Sequence, residues 1–191
     1  MKKIICLYGL PACGKTTQAE KLVEEFGYSY FGMGERLRAE VNSKSELGKK
    51  IKSYVEGGTL IPDECMIQVI KNVGQEILEK GIVFDGFPRM ISQAQMLKDI
   101  VKELNMKISA FIYLKVTPEE ALKRIKARAE TGGRGDDKDA EAIKNRLAAF
   151  NKESITLLDY YRSQNCLIEI DGEMSIEEVY SALRKSLENL K

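Results

Sequence analysis

The sequence predicts an α/β protein built on a doubly wound, five-stranded parallel sheet with helices on both faces. Short runs of β-branched and aromatic residues alternate along the chain with longer amphipathic stretches of helical period. The short runs are almost entirely apolar, as expected of strands covered on both faces, and helical crossovers make such a sheet parallel. A length of 191 residues with 43% hydrophobic composition favours a single compact domain.

Strand and helix signals divide the chain into alternating elements. The predicted strands are Lys3–Tyr8, Tyr28–Phe31, Ile82–Phe84, Ala110–Val116 and Cys166–Ile170. The predicted helices among them are Thr16–Phe26, Glu64–Glu79, Ser92–Leu104, Pro118–Arg128 and Asp139–Tyr161. Thr117 is a candidate N-cap because it precedes a proline suited to the first helical position. Ser175 and Glu178 have the spacing of a capping box, which predicts a last helix after Ser175.

Two stretches interrupt this alternation. Gly32–Ile61 is a charged, mostly helical insertion between the second and third predicted strands. Ala129–Lys138 is rich in glycine and charge and contains no core residues. We expect both to be mobile pieces placed on a rigid sheet.

The composition excludes several classes of protein. Lys and Arg (30) nearly balance Asp and Glu (29), so the overall charge suggests neither a nucleic-acid partner nor a membrane surface. No apolar run approaches the roughly 18 residues of a spanning helix. The four cysteines form no CxxC pair, which fits a reducing cytoplasm better than a disulfide or zinc framework. Because the chain has no histidine, histidine-based catalysis and metal ligation are excluded.

A phosphate-binding loop is the strongest motif. Gly9–Thr16, with the sequence GLPACGKT, matches G-x-x-x-x-G-K-[ST] and lies between a predicted strand and a predicted helix. Its glycines let backbone N–H groups turn inward around an anion, and the helix N-terminus adds partial positive charge. Lys15 is expected to reach the β- and γ-phosphates, and the Thr16 hydroxyl to bind Mg²⁺. The motif therefore predicts a nucleoside triphosphate with Mg²⁺.

A second group of polar residues follows the third predicted strand. Asp85 leaves the carboxyl end of that strand, near the crevice where parallel sheets bind ligands. There it can hold Mg²⁺ directly or through water. A turn would explain Asp85-Gly86, but it does not explain Arg89 immediately beyond Pro88.

Motifs along essentially the whole chain resemble the adenylate kinase family of nucleoside monophosphate kinases, in its short-lid form. In chain order, the matching segments are Gly9–Gln18, Gly34–Arg38, Leu60–Asp63, Asp85–Arg89 with Gln93, Arg124–Arg128, Gly133–Asp137 and Arg146-Leu147. The resemblance implies a P-loop fold with a small helical monophosphate-binding insertion at residues 32–61 and a short lid at residues 129–138. It also implies a cis peptide bond between Phe87 and Pro88.

The resemblance implies a role for individual residues. The ATP site would comprise Gly9, Ala12, Cys13, Gly14, Lys15, Thr16, Thr17, Arg124 and Arg128. The AMP site would comprise Met33, Arg38, Leu60, Ile61, Gly86, Arg89, Gln93, Arg134 and Arg146. Arg38 and Arg89 would clamp the acceptor's phosphate, and Gln93 would read its base. The catalytic groups would be Lys15, Arg89, Arg124, Arg128, Arg134 and Arg146, and the Mg²⁺ ligands Thr16 and Asp85.

Phosphoryl transfer suits a chain of this composition. The acceptor is already a phosphate anion at neutral pH, so the reaction needs positioning and charge neutralisation rather than a general base. ATP and a nucleoside monophosphate, with AMP favoured, are the expected partners, and the balanced charge makes a monomer the expected state.

Some positions depart from the family pattern. Ala12 stands where the family usually has glycine, and we expect the loop to form with a negative φ there. The family's Ser-Thr-Gly-Asp segment reads here as Gly32–Glu35, so Met33 replaces a threonine beside the acceptor base. Gln93 favours adenine, which makes ATP-to-AMP transfer giving two ADP the leading interpretation. Met33 favours no base, so a UMP/CMP or broad-specificity kinase stays open, as does a nucleotide-binding regulatory protein without efficient catalysis.

Overall fold

The computed structural model describes residues 3–71, 81–132 and 137–189. Within these ranges, one sheet contains five strands, which are β1 (Lys3–Tyr8), β2 (Ser29–Gly32), β3 (Gly81–Asp85), β4 (Ala110–Lys115) and β5 (Leu167–Asp171). All neighbouring strands are parallel, and their spatial order is β2-β3-β1-β4-β5. The predicted parallel, doubly wound sheet is confirmed.

Helices connect the strands and cover both faces of the sheet. In chain order they are α1 (Lys15–Phe26), α2 (Met33–Asn42), α3 (Glu46–Glu56), α4 (Asp63–Ile70), α5 (Ile91–Glu103), α6 (Pro118–Glu130), α7 (Ala140–Ser163) and α8 (Ile176–Glu188). No helix among the described residues is long and apolar enough to span a membrane.

The predicted boundaries agree with the structure to within a few residues at most ends. Both β2 and β5 begin and end one residue later than predicted, so β2 includes Gly32. The helix predicted over Glu64–Glu79 is observed over Asp63–Ile70, and residues 72–80 lie outside the described ranges.

The apolar strands are explained by two hydrophobic layers. Successive side chains of a strand point to opposite faces, so Ile4 and Cys6 join one layer while Ile5 and Leu7 join the other. The first layer is completed by α2, α3, α4, α5 and α7, and the second by α1, α6 and α8. Since all four of these β1 side chains are 0% exposed, a polar residue at any of them would be buried without water.

Both predicted helix caps are confirmed. The Thr117 hydroxyl accepts a hydrogen bond from the Glu120 backbone N–H, with the proline at the start of α6. At α8, the Ser175 hydroxyl accepts from the Glu178 N–H, and the Glu178 carboxylate accepts from the Ser175 N–H. These local bonds satisfy backbone donors that a helix start otherwise leaves unpaired.

The insertion over residues 32–61 contains α2 and α3. The turn after α3, at Gly57 and Gly58, contacts α7. The Asn145 side chain donates to the Gly57 carbonyl at 2.9 Å. Gly58 has φ +69°, and a Cβ there would lie 2.5 Å from the Ala142 carbonyl oxygen. Glycine is therefore required both by the left-handed backbone and by the close approach of two main chains.

We predict that Gly58→Ala lowers the free energy of unfolding by roughly 2–4 kcal/mol, because backbone strain and a main-chain clash add together. Gly132→Ala is the matched control, because Gly132 has φ +82° and nothing within 4 Å of a built Cβ. It should cost only about 1 kcal/mol. Urea unfolding measures both values, and equal losses would contradict the proposed contact with α7.

Candidate active site

A cavity opens at the carboxyl ends of the central strands, where parallel sheets bind ligands. Most of the residues predicted as site residues line it, namely Gly9, Ala12, Gly14, Lys15, Thr16, Thr17, Leu60, Asp85, Gly86, Arg89, Arg124, Arg128 and Arg146. The structure thus brings together side chains that are up to 137 positions apart in the chain, from Gly9 to Arg146.

The loop between β1 and α1 leaves helix donors available to a ligand. Gly14 occupies the N-cap position of α1 with φ 98°, and no side chain caps the helix. The first N–H groups of α1 therefore have no side-chain acceptor and lie beside the cavity, as in helix N-termini that bind anions. A Cβ at Gly9 would lie 2.6 Å from the Leu114 carbonyl oxygen, so the loop fits closely against β4.

The expectation for Ala12 is wrong. Its φ is +61°, not negative, so alanine takes the left-handed conformation that glycine would take. The cost is about 1 kcal/mol, and the close packing of the loop at Gly9 leaves little room for another path. The loop geometry therefore overrides the local preference of the residue.

Lys15 folds back over its own loop. Its ammonium group donates to the carbonyls of Gly9 at 3.0 Å and Leu10 at 2.8 Å, and lies 3.4 Å from the Cys13 sulfur. These contacts hold the charge at the centre of the loop, where phosphate oxygens can replace the carbonyl acceptors.

Asp85 lies directly beside the start of α1. Its Oδ2 accepts from the Thr16 hydroxyl at 2.6 Å and from the Tyr30 hydroxyl at 3.2 Å. A hydroxyl and a carboxylate are oxygen ligands of the kind Mg²⁺ prefers, and Mg²⁺ in nucleotide sites keeps water and phosphate as its other ligands. No cluster of three or more potential metal ligands occurs in the part of the chain that the structure describes. The pair fits a metal that arrives with phosphate.

Arg89 is held in place by its surroundings. Its Nε donates to the Gly86 carbonyl at 2.8 Å, and its backbone N–H donates to the Gln93 Oε1 at 2.8 Å. Burial lowers the pKa of Arg89; Asp85 acts against this, while the positive charges of Arg146 and Arg38 lower the pKa further. Three cations near one point favour an anionic ligand.

Asp137 joins two of the predicted arginines. Its carboxylate, with a side chain 0% exposed, receives two bonds from Arg128 at 2.6 and 2.8 Å and contacts Arg146 at 3.3 Å. Burial alone would raise the pKa of Asp137, but the bonds and charges of these arginines outweigh it and the pKa is lowered. The following helix, α7, is capped by Asp139, whose carboxylate accepts from the N–H groups of Glu141 and Ala142.

Arg124, one turn before Arg128 on α6, also has partners within the protein. It donates to the Glu120 carboxylate at 2.8 Å and to the Gly172 carbonyl at 2.9 Å. Arg124 therefore ties α6 to the turn after β5, and its side chain still borders the cavity.

Other predicted site residues do not line the cavity. Cys13 and Met33 are 2% and 1% exposed, and Ile61 is also buried. Gln93 is 1% exposed, and its Nε2 has no hydrogen-bond partner among the described residues. Arg38 lies close to Gly34, next to the cavity wall, while Arg134 falls outside the described ranges.

The cavity also includes residues that sequence reasoning missed. Tyr8 is the last residue of β1, Tyr30 lies within β2, and both line the cavity. The sequence pattern does not distinguish them from aromatic residues of the core. Phe150 stacks on Tyr8 with ring centroids 5.2 Å apart. The alternation of side chains along a strand would have placed Tyr30 on the same face as Gly32, but not beside Asp85.

The cis peptide bond between Phe87 and Pro88, which the resemblance implies, is present. Together with the strand–loop–helix phosphate site and the surrounding arginines, the fold defines a P-loop phosphotransferase. The adenylate kinase family model matches residues 7–166.

Relatives agree with that match. The chain is 37% identical over 188 residues to an adenylate kinase of Parabacteroides distasonis, with 98% of each chain covered. It is 38% identical over 187 residues to one of Bacteroides fragilis, covering 97% of this chain and 98% of the relative. It is 37% identical over 188 residues to one of Leptospira biflexa, covering 98% and 100%. The chain belongs to the adenylate kinase family.

We predict that acid weakens the Asp137 cluster. Because the folded pKa of Asp137 is lowered, its ionised form stabilises the fold above about pH 4 and that contribution is lost as pH falls through the folded pKa. Asp137→Asn should cost about 1–3 kcal/mol at pH 7. Its unfolding free energy should then fall less steeply than that of the wild type between about pH 5 and pH 3.

Urea unfolding at each pH provides the measurement. Asp159→Asn is the control, because Asp159 pairs with Arg162 at the surface and is 63% exposed. That variant should follow the wild-type pH dependence. Parallel curves for Asp137→Asn and the wild type would show that the buried pair is not ionised as we infer.

Proposed function

We propose that the protein transfers the γ-phosphoryl group of ATP to AMP, giving two ADP, with Mg²⁺. The observation that carries the proposal is that Lys15, Arg89 and the arginines of α6 and α7 all line one cavity. Membership in the adenylate kinase family supports the same reaction.

The donor and acceptor occupy different parts of this cavity in the proposal. Lys15 and the N-terminus of α1 bind the donor's β- and γ-phosphates. Arg89, with Arg38 behind it, binds the acceptor's phosphate. Arg128 and Arg146, which line the same cavity, stabilise the charge that spreads over the transferring group. No side chain has to remove a proton, because the attacking oxygen is already anionic.

Thr16 and Asp85 are the residues that would hold Mg²⁺. When bound, the ion neutralises phosphate charge and orients the β- and γ-oxygens. The protein presents a hydroxyl and a carboxylate side by side at the start of α1, where the Thr16 hydroxyl lies 2.6 Å from the Asp85 Oδ2.

Gln93 supports adenine as the acceptor base. Its carbonyl oxygen is engaged by the Arg89 backbone, whereas its buried Nε2 lacks a partner among the described residues. A buried amide donor without a partner is costly, and an acceptor atom on a bound base would satisfy it. The Arg89–Gln93 contact would also link base recognition to the phosphate clamp.

The remaining assignments follow the resemblance. We infer a single kinase domain over residues 1–191, with residues 32–61 closing over the monophosphate, residues 129–138 acting as a lid, and Arg134 reaching the phosphates from that lid. A monomer in the cytoplasm fits the chain, since its four cysteines are unpaired.

We predict ADP formation from ATP, Mg²⁺ and AMP, with a higher kcat/KM for AMP than for UMP or CMP. Coupled or chromatographic measurement of diphosphate formation tests this for each monophosphate in turn. No turnover with any acceptor would refute the kinase proposal, and faster turnover with UMP or CMP would refute the assignment of the acceptor.

We predict that Arg89→Ala lowers kcat/KM by at least about 10², because the acceptor's phosphate loses the guanidinium that binds it. The matched control is Arg184→Ala on α8, where the arginine is 53% exposed and pairs with Glu25 and Glu188. The control should keep wild-type kinetics. Near wild-type activity of Arg89→Ala, in a variant with unchanged thermal stability, would remove Arg89 from the mechanism.

A further inference from the structure

A second hydroxyl reaches the same carboxylate oxygen as Thr16. The Tyr30 phenol donates to the Asp85 Oδ2 at 3.2 Å, and the Thr16 hydroxyl donates to it at 2.6 Å. The two donors come from different elements, β2 and α1, and converge on the end of β3. Thr16 belongs to the phosphate loop, whereas nothing in the motifs of the chain assigns a role to Tyr30.

The Tyr30 ring can reach Asp85 only because residue 32 is a glycine and has no side chain. Gly32 is paired with Asp85 across the β2–β3 ladder, and Tyr30 lies two residues earlier on the same face. Two residues of strand advance about 6.6 Å, which is close to the reach of a tyrosine side chain. A Cβ at Gly32 would lie 2.6 Å from the phenol oxygen and 2.8 Å from two ring carbons.

Gly32 has no side chain to fill the space beside Asp85. The absence of that side chain opens the space through which the Tyr30 ring reaches Asp85. Tyr30 and Gly32 therefore act as one arrangement, and neither would place a hydroxyl on Asp85 without the other.

The phenol is a donor under ordinary conditions. A phenol ordinarily ionises only near about pH 10. The Tyr30 hydroxyl is therefore protonated at neutral pH and donates a hydrogen bond to the carboxylate. At 3.2 Å this bond is longer than the roughly 2.5–2.7 Å of the strongest hydroxyl–carboxylate bonds, so it is the weaker of the two bonds that Oδ2 accepts.

We propose that Tyr30 is a positioning residue for Asp85, holding its carboxylate in the orientation in which Asp85 and Thr16 receive a divalent ion. If the Thr16 hydroxyl were to ligate an ion, the Tyr30 bond would remain to orient Oδ2, and the carboxylate would not have to be reordered. Gly32 provides the space for this bond. The inference rests on the proposed nucleotide site and concerns its metal side alone.

The test measures metal binding rather than turnover. Mn²⁺ serves as the divalent probe, and its free concentration is followed by electron paramagnetic resonance in the presence of saturating β,γ-imido-ATP. Loss of this hydrogen bond should weaken Mn²⁺ binding roughly 3- to 10-fold in Tyr30→Phe. Affinity for the metal-free analogue should stay within about twofold of the wild-type value, because the ring and the phosphate loop are retained.

Two further variants make the result specific. Gly32→Ala should weaken Mn²⁺ binding in the same range, since its Cβ would displace the phenol. In the double variant with Tyr30→Phe, the loss should be no larger than in either single variant, because the same bond is removed once. Tyr28→Phe is the matched control, because it removes a hydroxyl two residues before Tyr30. Tyr28 is buried and stacks on Phe26, so this variant should leave Mn²⁺ binding unchanged.

The possible outcomes separate the inference from the proposed function. Equal Mn²⁺ affinity in Tyr30→Phe and the wild type would overturn the role of Tyr30 while leaving the nucleotide site intact. An equal loss of affinity for the metal-free analogue would also overturn it, since that result describes a disturbed phosphate loop. A wild-type protein that binds no β,γ-imido-ATP would contradict the proposed function itself.

Discussion

The pairing of β1 with β3 is the interaction on which the site depends. Leu7 is in register with Asp85, and the Gly86 N–H donates to the Leu7 carbonyl at 3.1 Å. This places the end of β3 beside the loop that leaves β1, so Asp85 reaches Thr16 at 2.6 Å without any long flexible segment. Both strands are buried on both faces, and shifting their register by one residue would turn every core side chain to the wrong layer. The same burial that stabilises the sheet therefore fixes the spacing between the phosphate loop and the carboxylate.

The site concentrates positive charge, and this limits how it can be built. Arg89 lies among cations, and burial makes its charge less favourable still. Asp85, beside the phosphate loop, offsets part of that cost, and Asp137 does the same for Arg128 and Arg146. A buried arginine without an anion would be strongly destabilising. The buried carboxylates of Asp85 and Asp137 are tolerated because arginines lie beside them. The carboxylates and the arginines therefore stabilise each other's charged forms in the folded protein.

Most of the sheet could be predicted because the physical signals were local. Strands buried on both faces are apolar throughout, and Thr117 and Ser175 cap helices through contacts within four residues. The phosphate loop was equally clear, because its backbone demands glycine and lysine at fixed spacing. Three features were not predictable in the same way. Ala12 takes a left-handed conformation that alanine alone disfavours, Asp137 pairs with arginines from two helices, and Tyr30 crosses a bare glycine to reach Asp85. Each depends on neighbours that are brought close only by the tertiary fold.

Three donor side chains of the site share one property that bears on how it would bind phosphate. Lys15 is bound to carbonyls of its own loop, Thr16 to Asp85, and Arg128 to Asp137. Phosphate oxygens would therefore exchange with internal acceptors instead of pairing with unsatisfied donors, which lowers the net gain from each new bond. In return, each donor is already ordered near the position that it needs, so less side-chain entropy is lost on binding. A phosphotransferase benefits from this balance, because tight binding of ground-state nucleotides does not speed the chemical step, whereas fixed geometry does.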